Sequence, residues 1–194
     1  MRIGVTFPQS DLELDAAATR EFAQTVEGMG FDHIVAYDHV LGAGRKNRPD
    51  WDGFHDEHDR FHEVMVLFGY LAAVTKSIEL VTGILCLPQR HAALVAKQAA
   101  TVDILSGGRL RLGVGVGWNA AEVEGLGQDF TTRGKRIEEQ IAVLRALWTN
   151  QTVELDGEFH LLPDVGIISI PASAYALTTL RLRAGPPEGS EPVS

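Results

Sequence analysis

One cysteine, Cys86, occurs in 194 residues, and a single thiol excludes an intramolecular disulfide framework. That usage fits a reducing compartment. No apolar run reaches the roughly 20 residues that a membrane-spanning helix needs. Met1-Arg2-Ile3-Gly4 leads straight into a strand pattern rather than a signal peptide, so the expected location is cytoplasmic. Basic charge is also short. Seventeen Lys and Arg stand against 26 Asp and Glu, a formal net charge of −9, which argues against nucleic acid or an acidic membrane surface as partner. What remains is 45% hydrophobic, enough to fill the core of one domain.

The most informative stretch is residues 78–118. It reads as an apolar strand over 78–85, a turn at Pro88, a helix over about 92–105, Ser106-Gly-Gly108, then a second strand from Arg109. That strand runs into Gly113-Val-Gly-Val-Gly117-Trp118. Near-continuous apolar strands around an amphipathic helix predict a βαβ unit with parallel strands buried on both faces. Both strand ends then open on one edge of the sheet, where α/β proteins place ligands.

The flanking sequence repeats the pattern. A strand over 2–7 stops at Pro8. Asp11 or Asp15 caps a helix bearing Ala18, Phe22, Val26 and Met29, which Gly30 ends. A second strand over 31–37 leads to Asp38-His39, and a helix follows over about 62–76. Between them, residues 41–59 are rich in Gly, Arg, Asp and His without an apolar period, as in a functional or mobile loop. Another helix starts near Asp129 or Thr131, with Ile137, Ile141, Leu144 and Trp148 as its buried stripe. Asp156-Gly157 predicts a hairpin with a type I′ turn. Four βα units in strict alternation favour a barrel over an open doubly wound sheet. Trp118 holds the place of the third glycine of a dinucleotide fingerprint, which disfavours Rossmann-type binding.

Tyr37-Asp-His39, Leu80-Val-Thr-Gly-Ile-Leu85, Pro88, Ala96-Lys-Gln-Ala99 and the run from Asp103 to Trp118 resemble the bacterial luciferase-like oxidoreductases. More narrowly, the sequence is similar to the coenzyme F420-dependent branch of that family. The motifs keep their order at successive strand ends over roughly residues 1–166. The resemblance implies an α/β fold of the (β/α)8 TIM-barrel type, of which this chain carries the N-terminal half, about four βα units plus a hairpin. It implies a domain over 1–167 and an irregular out-of-family tail over 168–194, of the kind a frameshift or a shortened gene would leave. Four of the eight prolines fall in that tail.

The same resemblance implies F420, or alternatively FMN, at the C-terminal face, with a non-prolyl cis bond at Gly83–Ile84 backing the ring. Cofactor contacts are then expected from Asp38, His39, Gly83, Ile84, Gly117 and Trp118. His39 is the candidate catalytic group, since its imidazole suits hydrogen bonding or proton transfer near neutral pH. Asp38 would orient the loop or touch the cofactor. Some F420-using relatives carry a carboxylate where Trp118 stands, and this departure makes FMN-type monooxygenation an alternative. Asn119 and Glu122 read as helix-start residues, and Cys86 as a packed small residue.

His55, His58 and His62 lie among acidic residues, but two fall in loop sequence, so no metal is expected. The function implied is hydride transfer to or from a small organic substrate. A non-enzymatic reading is an inactive half barrel acting only by self-association. Barrels of this type commonly hold phosphate after strands seven and eight. Weak cofactor binding by the monomer is therefore expected, with homo-oligomers formed through unpaired sheet edges.

Overall fold

The structure, a computed structural model, describes residues 1–11, 15–48, 50–51 and 55–167. The tail expected over 168–194 lies outside the described residues. The elements run β1 (Gly4–Thr6), α1 (Ala16–Gly28), β2 (His33–Ala36), α2 (Val64–Val74), β3 (Glu79–Thr82), β4 (Leu85–Cys86) and α3 (Ala92–Ser106). They continue with β5 (Leu110–Arg111), β6 (Val114–Gly115), α4 (Ala120–Gly125), α5 (Arg133–Thr149), β7 (Val153–Asp156) and β8 (Leu161–Val165). The main sheet is parallel, in the order β1-β2-β3-β5. Every crossover passes through a helix, as the alternating pattern predicts.

Helix ends follow local chemistry. The Asp15 carboxylate accepts from the Ala18 N–H at 2.8 Å and starts α1. Glu63, not His62, caps α2 by accepting from Val66 N–H at 2.8 Å. Gly107, at φ +69°, ends α3, and the Gly108 N–H returns to the Asp103 carbonyl at 2.8 Å. Along β2 and β3, Ile34, Ala36, Leu80 and Thr82 are buried, and His33, Val35, Glu79 and Val81 on the other face are half-buried. The core therefore lies between sheet and helices, where Phe68, Leu71 and Leu144 have no exposed surface. The expected stripe on α5 is buried, and the Trp148 indole N–H donates to the Ala96 carbonyl at 3.0 Å.

The two long strands of the sequence reading are each divided. After β3 the chain passes the cis bond Gly83–Ile84 and steps into β4, which pairs with β6 in a separate two-stranded ladder. Thr82 fastens the crossing point. Its hydroxyl donates to the Gly113 carbonyl at 2.7 Å and accepts from the Gly113 N–H at 2.8 Å. A Cβ on Gly113 would lie 2.5 Å from the Thr82 carbonyl oxygen, so the close approach needs glycine.

The hairpin is also built differently from expectation. Asp156 pairs with Leu161, leaving a four-residue loop over 157–160 in place of a two-residue type I′ turn. Gly157 is not in the positive-φ conformation that such a turn requires. Glu139 of α5 replaces it as the organiser. Its carboxylate accepts from the N–H groups of Glu158 at 2.9 Å and Phe159 at 3.0 Å, and contacts His160 Nδ1 at 2.8 Å.

Glu27 does similar work at the other end of the sheet. Its carboxylate accepts from the N–H groups of Lys76, Ser77 and Ile78 at 2.7–3.0 Å. Burial acts to raise this carboxyl, but the three backbone donors outweigh it and hold it below the ordinary range. Glu27→Ala should cost about 1 kcal/mol in urea unfolding, kept low because water reaches the site. A depressed folded-state pKa contributes stability above the unfolded value of about 4.3 and loses it as pH falls through the folded value. The gap between variant and wild type should therefore be full at neutral pH and close below about pH 4.

Candidate active site at the strand ends

The C-terminal ends of β2, β3 and β6 deliver Asp38-His39, Gly83-Ile84 and Gly117-Trp118. His39 is the centre of this group. Its side chain is 12% exposed, and Nδ1 lies 3.0 Å from the Glu122 carboxylate. The His39 ring lies 4.3 Å from that of His55, 5.1 Å from Phe61 and 6.2 Å from Trp118, centroid to centroid. Trp118 is 47% exposed, and Trp51 approaches it at 6.1 Å. Gly117, at φ +73°, turns the chain out of β6 into this cluster.

The loop expected over 41–59 folds back across His39. An isolated bridge joins Ala43 to Asp56, and His55 takes the left-handed conformation at φ +71° to reach the His39 ring. Burial, then the neighbouring His39, holds His55 below the usual imidazole range. A small cavity of about 110 Å³ lies here, lined by His39, Leu41, Gly42, His55, Asp59 and Phe61 among others.

Asp38 differs from its neighbour. It is 2% exposed and points inward, pairing with the Arg90 guanidinium through both oxygens and accepting from the Cys86 N–H at 2.9 Å. A cofactor contact from this residue would have to come from its backbone. Burial pushes its carboxyl upward, against the pull of Arg90. Arg90 also reaches Glu63 at 2.7 Å, tying the start of α2 to the same pair. Cys86 is buried, and burial, reinforced by Asp38 and Glu122, pushes its thiol up to about 12. It is therefore a packing residue rather than a nucleophile.

Sequence reasoning missed the importance of Glu122. Asn119 caps α4 as expected, accepting from the Glu122 N–H at 3.3 Å. Glu122, at 1% exposure, reaches across to the turn after β2. It accepts from Val40 N–H at 2.5 Å and Leu41 N–H at 3.3 Å, and from the Gln89 amide at 3.3 Å. The Asn-x-x-Glu spacing of a capping box was visible, but here the glutamate serves a distant turn instead of its own helix.

Of the histidine-rich segment, only His58 gathers with Asp56 and Glu57 among the described residues. Asp56 is already bonded to Arg45 at 2.8 Å and to the His58 N–H at 2.9 Å, and Glu57 to the Arg45 N–H at 2.9 Å. Those bonds account for the grouping as loop structure. No described helix is long and apolar enough to cross a membrane.

The family model for luciferase-like monooxygenases matches residues 1–186. The chain belongs to this family. An uncharacterised protein from Mycobacterium tuberculosis is 34% identical over 154 residues, covering 77% of this chain and 54% of that protein. A pyrimidine monooxygenase of Pantoea ananatis is 34% identical over 161 residues, covering 79% and 41%. Among solved structures, an F420-dependent secondary alcohol dehydrogenase in complex with an F420-acetone adduct aligns with a TM-score of 0.70 at 23% identity. That alignment covers 88% of this chain and 50% of that one. The chain thus spans about half the length of the luciferase-like proteins it matches, and its fold is the corresponding part of their barrel-type architecture.

Proposed function

We propose that the strand-end edge holds the ring of coenzyme F420 and that the protein is an oxidoreductase transferring a hydride to or from a small organic substrate. The observation that carries this reading is His39. It is anchored at Nδ1 by a buried carboxylate, and among the described residues Nε2 makes no hydrogen bond. An imidazole held this way beside the exposed Trp118 suits a planar ring with a proton-transfer partner next to it. F420, when bound, supplies a two-electron hydride acceptor or donor. On a substrate alcohol, His39 Nε2 would be the group that takes the hydroxyl proton. Ile84 would lie against the ring, and the loop segment carrying His55 and Phe61, which lines the cavity beside His39, would limit water there.

A second reading is FMN-dependent monooxygenation. Trp118 stands where the resemblance places a carboxylate in some F420 enzymes, and the pyrimidine monooxygenase of Pantoea ananatis is a 34% identical relative. The two readings separate on one assay: the protein is given F420 or reduced FMN in turn, with a panel of small alcohols and heterocycles. Substrate-dependent bleaching of F420 without oxygen consumption is the expected result. Oxygen uptake with FMN and no turnover with F420 would overturn it in favour of the second. Among the described residues the outer edges of β1 and β5 have no strand partner, and we propose that the 194-residue chain prepared alone self-associates through them. Tight F420 binding by a monodisperse monomer in light scattering would contradict that.

A further inference from the structure

We infer that Glu122 is a positioning residue that holds the His39 proton on Nδ1, making Nε2 the atom that exchanges a proton with the ligand. The purpose assigned to this arrangement rests on the proposed function, but the arrangement itself does not.

Glu122 Oε1 receives the Val40 N–H, the Leu41 N–H and the Gln89 amide, all of which can only donate at these positions. Oε2 faces His39 Nδ1 at 3.0 Å. Two states satisfy that contact: an ionised carboxylate with a protonated Nδ1, or a protonated carboxyl with a bare one. Burial favours the neutral carboxyl, but the His39 contact and the Val40 and Leu41 N–H groups outweigh it, leaving Glu122 below the ordinary carboxylate range. The carboxylate is therefore ionised, and Nδ1 carries the proton.

The consequence is chemical as well as geometric. The ring is fixed in one tautomer and one orientation, and the imidazolium formed when Nε2 accepts a proton lies against a buried negative charge. The other ionisable groups around the same cavity, His55, Asp56 and Asp59, come from the loop and make no hydrogen bond to His39. Among the described residues, Glu122 alone is placed to choose the tautomer. It acts through His39 and touches neither substrate nor cofactor in this role.

The test is long-range ¹H–¹⁵N correlation spectroscopy of the imidazoles in the cofactor-free chain at neutral pH. The His39 signals are identified by their loss in His39→Gln. In the wild type, Nδ1 should give the protonated, pyrrole-type shift and Nε2 the pyridine-type shift. Glu122→Gln should invert the pattern. The amide oxygen must still receive the Val40 and Leu41 N–H groups, so its NH₂ is turned to His39, and Nδ1 must then accept. A wild-type Nε2–H tautomer overturns the inference, as does a pattern unchanged in Glu122→Gln. If the variant does not fold, the wild-type spectrum alone decides. The expected pattern in a chain that responds to neither F420 nor FMN would sink the proposed function and leave this inference standing.

Discussion

Arg90→Met should destabilise the chain by about 3–5 kcal/mol, the usual consequence of removing one partner from a buried ion pair. Asp38 has no exposed side-chain surface, and Arg90 is 12% exposed. Without the guanidinium, the Asp38 carboxylate keeps only the Cys86 N–H as partner among the described residues. Glu63 also loses its contact but is 32% exposed and recovers water, so most of the loss lies at Asp38. The sign of the pH dependence follows. In the variant the folded-state pKa of Asp38 is raised further above the unfolded value of about 3.9. The folded state then binds the extra proton, so stability falls as pH rises from the unfolded value through the raised one. The deficit in urea unfolding should be smallest near pH 4 and largest at neutrality. Asp38→Asn combined with Arg90→Met should recover part of the loss, because an amide tolerates that site better than an unpaired charge. A uniform deficit across pH would mean that Arg90 acts only through packing.

His39→Gln should lower turnover by about 10²–10⁴-fold, the range for removing a positioned acid–base group. Glutamine keeps a polar side chain at the strand end but cannot take a proton at neutral pH. The fold should survive the change, since the His39 side chain belongs to the ligand edge and not to the apolar core. Most of the loss should fall on kcat, because proton transfer develops in the transition state, and KM should move much less. An equal loss expressed mainly in KM would recast His39 as a binding group.

How far the sequence carried depended on the distance over which each decision is made. Asp15, Gly30 and the Ser-Gly-Gly turn after α3 act within one helical turn, and the structure places each as its local chemistry predicts. The Gly83–Ile84 cis bond was legible only through the family resemblance. The division of β3 from β4 was not legible, because residues 80–88 carry no charge and hydropathy carries no mark where the chain changes ladder. Asp156-Gly157 was misread because Glu139, on a preceding helix, supplies the loop N–H groups with acceptors that a two-residue turn would not need. His39 was singled out from its strand-end position together with the family resemblance. Its partner Glu122 lies 83 residues away, and nothing in the spacing of the two announces the contact. Asp38 shows the converse: adjacency to His39 suggested a shared role, but the Asp38 carboxylate turns to Arg90 and Cys86 while the His39 ring turns to Glu122.

The central claim is that a ring cofactor lies at the strand-end edge, and backbone and side-chain NMR shift mapping with F420 tests it most directly. Weak binding by the isolated chain is no obstacle, because the method reads position as well as affinity. The account predicts saturable shifts confined to His39, Gly83, Ile84, Gly117 and Trp118 and to the loop residues His55 and Phe61. A spectrum unmoved by F420 and FMN, or shifts gathered instead in a separate cavity lined by Arg136, Gln140 and His160, would contradict it.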